Sequence, residues 1–317
     1  MFHRAHHSPE MKRIVPAMYT LLVILILFIP QIPDAAGTES IRSDDVMVRF
    51  EKPLKDVAIT VMRTYPAIKH ELEKKLRLEI DFAPTIILIR DTGSFQKVAG
   101  NRLVVAVALS KDNLIVIDNS KMKTHPFSLG VTLKHELSHL ALHDYIGKGN
   151  LPRWLNEGVA QWASDGIADI IIGEDRDILK KATLSGKYIP MSSLASEFPA
   201  ETHLLRLSYE ESKSFVAYII KEYGVEGVMR ILDHLRKGGQ ADVAVTKGLS
   251  VSLYELEERW HSHLKRRTTW FTYFSSHIYE IIFAFGALFL TYGFIQFLIR
   301  KRAYKDEENM EDRDGPE

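Results

Sequence analysis

Two histidines four residues apart, His135 and His139, stand in the run His-Glu-Leu-Ser-His. On a helix, residues at this spacing share one face, so both imidazoles can reach a single metal ion. Glu136 lies one step round from His135 and borders that face. Its carboxylate cannot easily become a third ligand in this geometry, yet it can reach a water held by the metal, which is the position of a general base. The chain has no cysteine among its 317 residues. Disulfides, thiolate sites and a cysteine nucleophile are excluded, and any transition metal must be held by His, Asp or Glu.

A zinc site of the catalytic kind takes three protein ligands and leaves one position open. A third ligand a short loop beyond His139, as in the metzincins, would require glycine at position 142 and histidine at 145, where this chain has Leu142 and Tyr145. The other solution is a glutamate on a second helix packed against the first. Trp154-Leu155-Asn156-Glu157-Gly158 supplies Glu157, eighteen positions after His139. Gly147 and Gly149 in the connection allow the chain to turn back, and Pro152 suits the first turn of the second helix.

His-Glu-x-x-His followed by Trp-Leu-Asn-Glu-Gly-x-Ala resembles the gluzincin metallopeptidases, specifically the aminopeptidase-like peptidase MA domain. The resemblance covers approximately residues 46–263. The later Tyr209-Glu-Glu-Ser-Lys-Ser-Phe, Tyr223-Gly and Gly248-Leu-Ser stretches are similar to the helical half of that domain. It implies one Zn²⁺ per chain, held by His135, His139 and Glu157, with water in the open position. It implies Glu136 as the base that takes the proton of that water and returns it to the leaving amine, and a peptide or protein as substrate. Members usually add a Tyr or His that stabilises the oxyanion. Tyr209 is the candidate here, with Tyr188 and His203 as rivals and packing of its own helix as the plain alternative. Among nearby polar residues, His143 is either a support for a ligand or a surface side chain. Gln161 is expected to orient His135 or to be an ordinary polar helix position, and Asn156 to cap or brace its turn.

Aminopeptidases of the resembling group carry a Gly-x-Met-Glu-Asn motif whose glutamate fixes the free amine of the substrate. The corresponding Val104-Val-Ala-Val-Ala-Leu109 has no glutamate, so action on free N-termini is not implied. That segment can still offer a strand edge to an extended peptide. A non-catalytic zinc-binding scaffold of the cell envelope is the second reading.

The elements that would position these residues read as strands first and helices afterwards. Alternation or β-branched content predicts strands over 46–50, 84–89, 103–109 and 114–118. A helical face of Val57, Val61, Tyr65, Ile68 and Leu72 predicts a helix over 57–76. Helices are expected over 128–143, 152–164, 209–223, 225–235 and 253–265, with Gly224 and Gly238 at C-terminal caps and Ser252-Leu-Tyr-Glu255 as a capping box. The fold class is α+β and zincin-like, with a mixed subdomain over 38–125 and a helical catalytic subdomain over 126–270.

Both ends read as membrane segments. Residues 1–37 combine a basic start, a short apolar stretch from Ile14 to Ile29 and a small-residue exit, so they are a signal peptide or an uncleaved signal anchor. Residues 278–299 form a transmembrane helix flanked by aromatic residues and followed by Arg300, Lys301, Arg302 and Lys305. The expectation is a single-pass or two-pass protein of a cell membrane, a prokaryotic envelope by the signal and the resemblance, with its catalytic domain outside the cytoplasm. The basic-then-acidic tail, 300–317, is expected to be cytoplasmic and disordered towards its end. A formal net charge of zero offers no argument for nucleic acid as a partner.

Overall fold

The computed structural model describes residues 38–100, 104–124, 127–165, 177–276 and 278–311. The expected signal segment, 1–37, lies outside them. The described residues divide into two compact units, one within Met1–Arg176 and Ile189–Leu253, the other within Asp177–Tyr188 and Tyr254–Glu317.

The first unit is built on a five-stranded mixed sheet of β1 (Thr38–Arg42), β2 (Met47–Glu51), β3 (Thr85–Ile89), β4 (Ala106–Leu109) and β5 (Leu114–Asp118), in the order β1-β2-β3-β5-β4. β2, β3 and β5 run parallel, whereas the edge strands β1 and β4 are antiparallel to their neighbours. The central strands Thr-Ile-Ile-Leu-Ile and Leu-Ile-Val-Ile-Asp are buried on both faces, as parallel strands covered from two sides must be. Ile87 and Val116 form one face with Phe95, which belongs to the short helix α2 (Thr92–Ala99). By strict alternation, Ile86, Leu88, Ile115 and Ile117 form the other. The first helix, α1 (Lys55–Leu76), buries Ala58, Val61, Tyr65, Ile68 and Leu72 as a helical stripe.

Helix α3 (Leu129–Ile146) follows the sheet, opened by Ser128, whose hydroxyl accepts from Val131 N at 3.4 Å. Helix α4 (Arg153–Ser164) is preceded by Pro152 in an extended conformation. After α5 (Ile178–Ser185) in the second unit, α6 (Thr202–Arg236) and α7 (Ala241–Leu249) complete the first. α6 is two helices merged across a break at Gly224, whose φ of 69° and ψ of 177° interrupt the helical ladder. That is where the sequence places the boundary between its two helices. The helix begins seven residues before the expected start, so Tyr209 lies in its third turn rather than at its opening. Glu201, at the cap position, makes no side-chain capping bond, and a helix start without that device leaves little trace in the sequence.

The second unit contains α5, most of α8 (Leu253–Ser276) and α9 (Ile278–Glu311). Within it Tyr188 stacks on His261, with ring centroids 3.8 Å apart. α9 carries a 21-residue apolar stretch, Ile278–Leu298, none of which is buried. At 1.5 Å per residue it is long enough to cross about 30 Å of hydrocarbon. The helix then continues to Glu311, so the part of the tail expected to be disordered is helical that far. The reason is composition: Arg, Lys, Ala and Glu are strong helix formers, and extending an existing helix avoids the cost of nucleating one.

α4 packs against both α3 and α6. Its approach to α6 is set at Gly158, where an added Cβ would lie 2.5 Å from Ser212 O and 2.5 Å from Val216 Cγ2. One of those atoms is backbone and cannot rotate away. Gly158→Ala is therefore expected to lower stability by about 1–3 kcal/mol. Gly130→Ala in α3, where nothing lies within 4 Å, should be neutral or stabilise by about 0.5–1 kcal/mol. Chemical unfolding of the full chain in detergent tests the pair, and equal midpoints would show that the α4–α6 contact relaxes at no cost.

Candidate metal centre

α3 is buried on nearly every side, from Thr132 through Leu142 with few interruptions. It contacts α1, β4, β5, α4 and α6. A helix enclosed in this way ordinarily carries apolar side chains throughout, yet this one buries His135, Glu136 and His139. Burying such groups is costly unless each finds a partner.

The partner element is α4. It brings Glu157, also buried, to both histidines: Glu157 Oε2 lies 3.6 Å from His139 Nε2 and 4.0 Å from His135 Nε2. The two Nε2 atoms are 3.1 Å apart, and the rings meet edge to face. The edge of a tetrahedron around a metal with bonds of ~2.0–2.1 Å is about 3.3–3.4 Å. The three separations straddle this value, and the donors are two imidazoles and a carboxylate. His135, His139 and Glu157 therefore form a cluster able to hold a metal ion, and the donor chemistry fits zinc.

His139 is oriented from behind. Its Nδ1 lies 2.8 Å from Asn156 Oδ1. An amide oxygen only accepts, so Nδ1 carries the proton and Nε2 presents its lone pair to the cluster. The other end of the same amide, Asn156 Nδ2, lies 3.4 Å from His143 Nε2. His143 thus stands at the end of a His143–Asn156–His139 chain, and Asn156 braces a ligand candidate directly rather than only its own helical turn. The expected bracing histidine partner, Gln161, is buried on α4.

In front of the cluster is an open groove with about 240 Å³ of free volume, room for a short piece of peptide. Glu136, His139, Glu157, Asn156, Arg153 and Tyr209 supply its polar lining. Ala99 and, on or beside β4, Val104, Ala106, Val107 and Ala108 complete the lining. Glu136 faces the groove although its helix is enclosed, as the one-step offset from His135 predicts. Tyr209 reaches it from α6 and packs edge to face on Phe198 at 5.0 Å. Of its rivals, Tyr188 stacks on His261 and His203 is exposed. Arg153 went unnoticed in the sequence. Its place one helical turn before Glu157 was the available signal, because residues four apart on a helix are neighbours.

Replacing Asn156 by alanine is expected to weaken zinc binding by about 10- to 100-fold while leaving the helical content unchanged. Asn156→Asp, which keeps the acceptor, should retain most of the affinity. Competition against a chelating dye measures both, and unaltered affinity in Asn156→Ala would remove Asn156 from the site.

No curated protein matches the chain significantly. A family model described as the peptidase MA superfamily matches residues 97–266. The match takes in β4, β5, the helices α3 to α7 and α8 as far as Arg266, and it covers more than half of the sequence. The chain belongs to the peptidase MA superfamily.

Proposed function

We propose that this protein is a membrane-anchored zinc metallopeptidase of the gluzincin type that hydrolyses peptide bonds in peptides or proteins outside the cytoplasm. The observation that carries the reading is the meeting of His135, His139 and Glu157 within 3.1–4.0 Å of one another beside a groove lined by Glu136. His135, His139 and Glu157 would hold the ion. Zinc in such a site lowers the pKa of water and polarises a carbonyl group.

The chain's own groups do the rest. Glu136 accepts the proton of the attacking water at its carboxylate and passes it to the nitrogen of the departing amine. Tyr209, from α6, donates its hydroxyl to the oxygen on which negative charge develops. Asn156 keeps the His139 ring in the tautomer that leaves Nε2 free to bind. Among the described residues β4 pairs only with β5, so an extended substrate can lie along its outer edge with side chains against Val104, Ala106 and Ala108. The apolar span Ile278–Leu298 anchors the enzyme, with Arg300 and the residues after it on the cytoplasmic side.

Full-length protein in detergent should contain about one zinc per chain by elemental mass spectrometry, and Glu157→Ala should lose it. Glu136→Gln should keep the zinc and lose hydrolysis of a mixed peptide library by at least about 10²-fold. Retained turnover in Glu136→Gln would remove Glu136 as the base. A zinc-loaded wild type without hydrolysis would favour the scaffold reading instead.

A further inference from the structure

The groove has two carboxylates, Glu136 and Glu157, and one cation among its described lining residues, Arg153. On the proposed reading both carboxylates are committed, one to the metal and one to the proton. The charge left facing a substrate is therefore positive. An aminopeptidase needs the opposite arrangement, a spare carboxylate for the substrate's amine.

Arg153 is held without being consumed. Its guanidinium carbon lies 4.9 Å from the ring centroid of Phe198, over the ring. Its Nε is 3.9 Å from Glu157 Oε1, too long for a hydrogen bond. Among the described residues no hydrogen bond takes up its five N–H donors, and the side chain is 42% exposed. It is also the first residue of α4, where the positive end of the helix dipole disfavours a cation. A planar, aromatic-backed guanidinium opening into a groove is suited to bidentate capture of a carboxylate.

We infer that Arg153 is a specificity-determining residue that grips a carboxylate of the substrate within one or two residues of the bond being cut. The reach follows from its position one turn from Glu157, set against about 3.3 Å per residue of extended peptide. The inference rests on the peptidase reading. The carboxylate is either the free C-terminus of a peptide or an Asp or Glu side chain within one, and the chemistry of capture is the same.

Zinc-loaded full-length protein would be offered a randomised hexapeptide library in free-acid and amidated forms. A second pair of amidated libraries would fix one central position as Asp/Glu or as Asn/Gln. Cleavage is read by mass spectrometry as a ratio between the members of each pair. Wild type should prefer the acid in at least one pair by about 10-fold or more. A preference in the first pair identifies the C-terminus, and one in the second identifies the side chain. The ratio should fall to about one in Arg153→Gln and survive in part in Arg153→Lys, with zinc content unchanged. No acid preference in wild type, or a preference that persists in Arg153→Gln, overturns the inference and leaves the peptidase reading standing. Equal losses on both members of a pair, together with loss of zinc, would make Arg153 a support for Glu157 and likewise overturn it. Library retention by zinc-loaded Glu136→Gln supplies the same ratios without turnover. If wild type cleaves nothing and this variant retains nothing, the peptidase reading falls, and the inference falls with it.

Discussion

Three ionisable side chains lie inside a helix that has almost no solvent face. A buried polar group without a partner costs about 2–7 kcal/mol by transfer measurements, and an ionised carboxylate more. Enclosing His135, Glu136 and His139 in α3 is therefore possible only if a neighbouring element brings complementary groups to them. α4 is that element. Glu157 meets both imidazoles, Asn156 satisfies the back of His139, and Arg153 stands against the outer oxygen of Glu157. Two adjacent residues of one helix, Asn156 and Glu157, thus meet the histidines of the other.

The rest of the first unit serves that meeting. The chain leaves α3 at Gly147, whose positive φ ends the helix, and re-enters at Pro152, which is extended and cannot itself continue a helix backwards. α6 closes on α4 through Gly158, where only the absence of a side chain lets the backbone at Ser212 come so near. The same helix delivers Tyr209 to the groove. The sheet contributes β4, an edge strand of alanine, valine and leucine, to the same lining. The result is a groove that is polar on its helical wall and apolar on its strand wall.

α9 reverses this arrangement. Its apolar side chains point outward along 21 residues with none buried, whereas α3 keeps ionisable groups within. Each helix has side chains that contradict water as its surroundings, and each resolves the conflict differently. α3 does so by packing polar groups against one another, and α9 has the composition of a segment whose surroundings are lipid.

The sequence alone determined those features whose information is local. His135 and His139 at helical spacing, Glu157 in a second helix after a glycine-containing turn, and the long apolar run near the C-terminus all follow from the order of residues. So do the strongly patterned elements, such as β5 and α1, and the break at Gly224. Tertiary structure decided what depends on distance between elements. It chose Asn156 as the residue that reaches His139, placed Arg153 at the rim, and put Tyr209 in the third turn of α6. It also formed β1, α2, α5 and α7, which are short and bury few apolar residues. Such segments have too weak a pattern to announce themselves. β1, α2 and α7 exist because the sheet or a neighbouring helix supplies the partner that their own sequence does not specify.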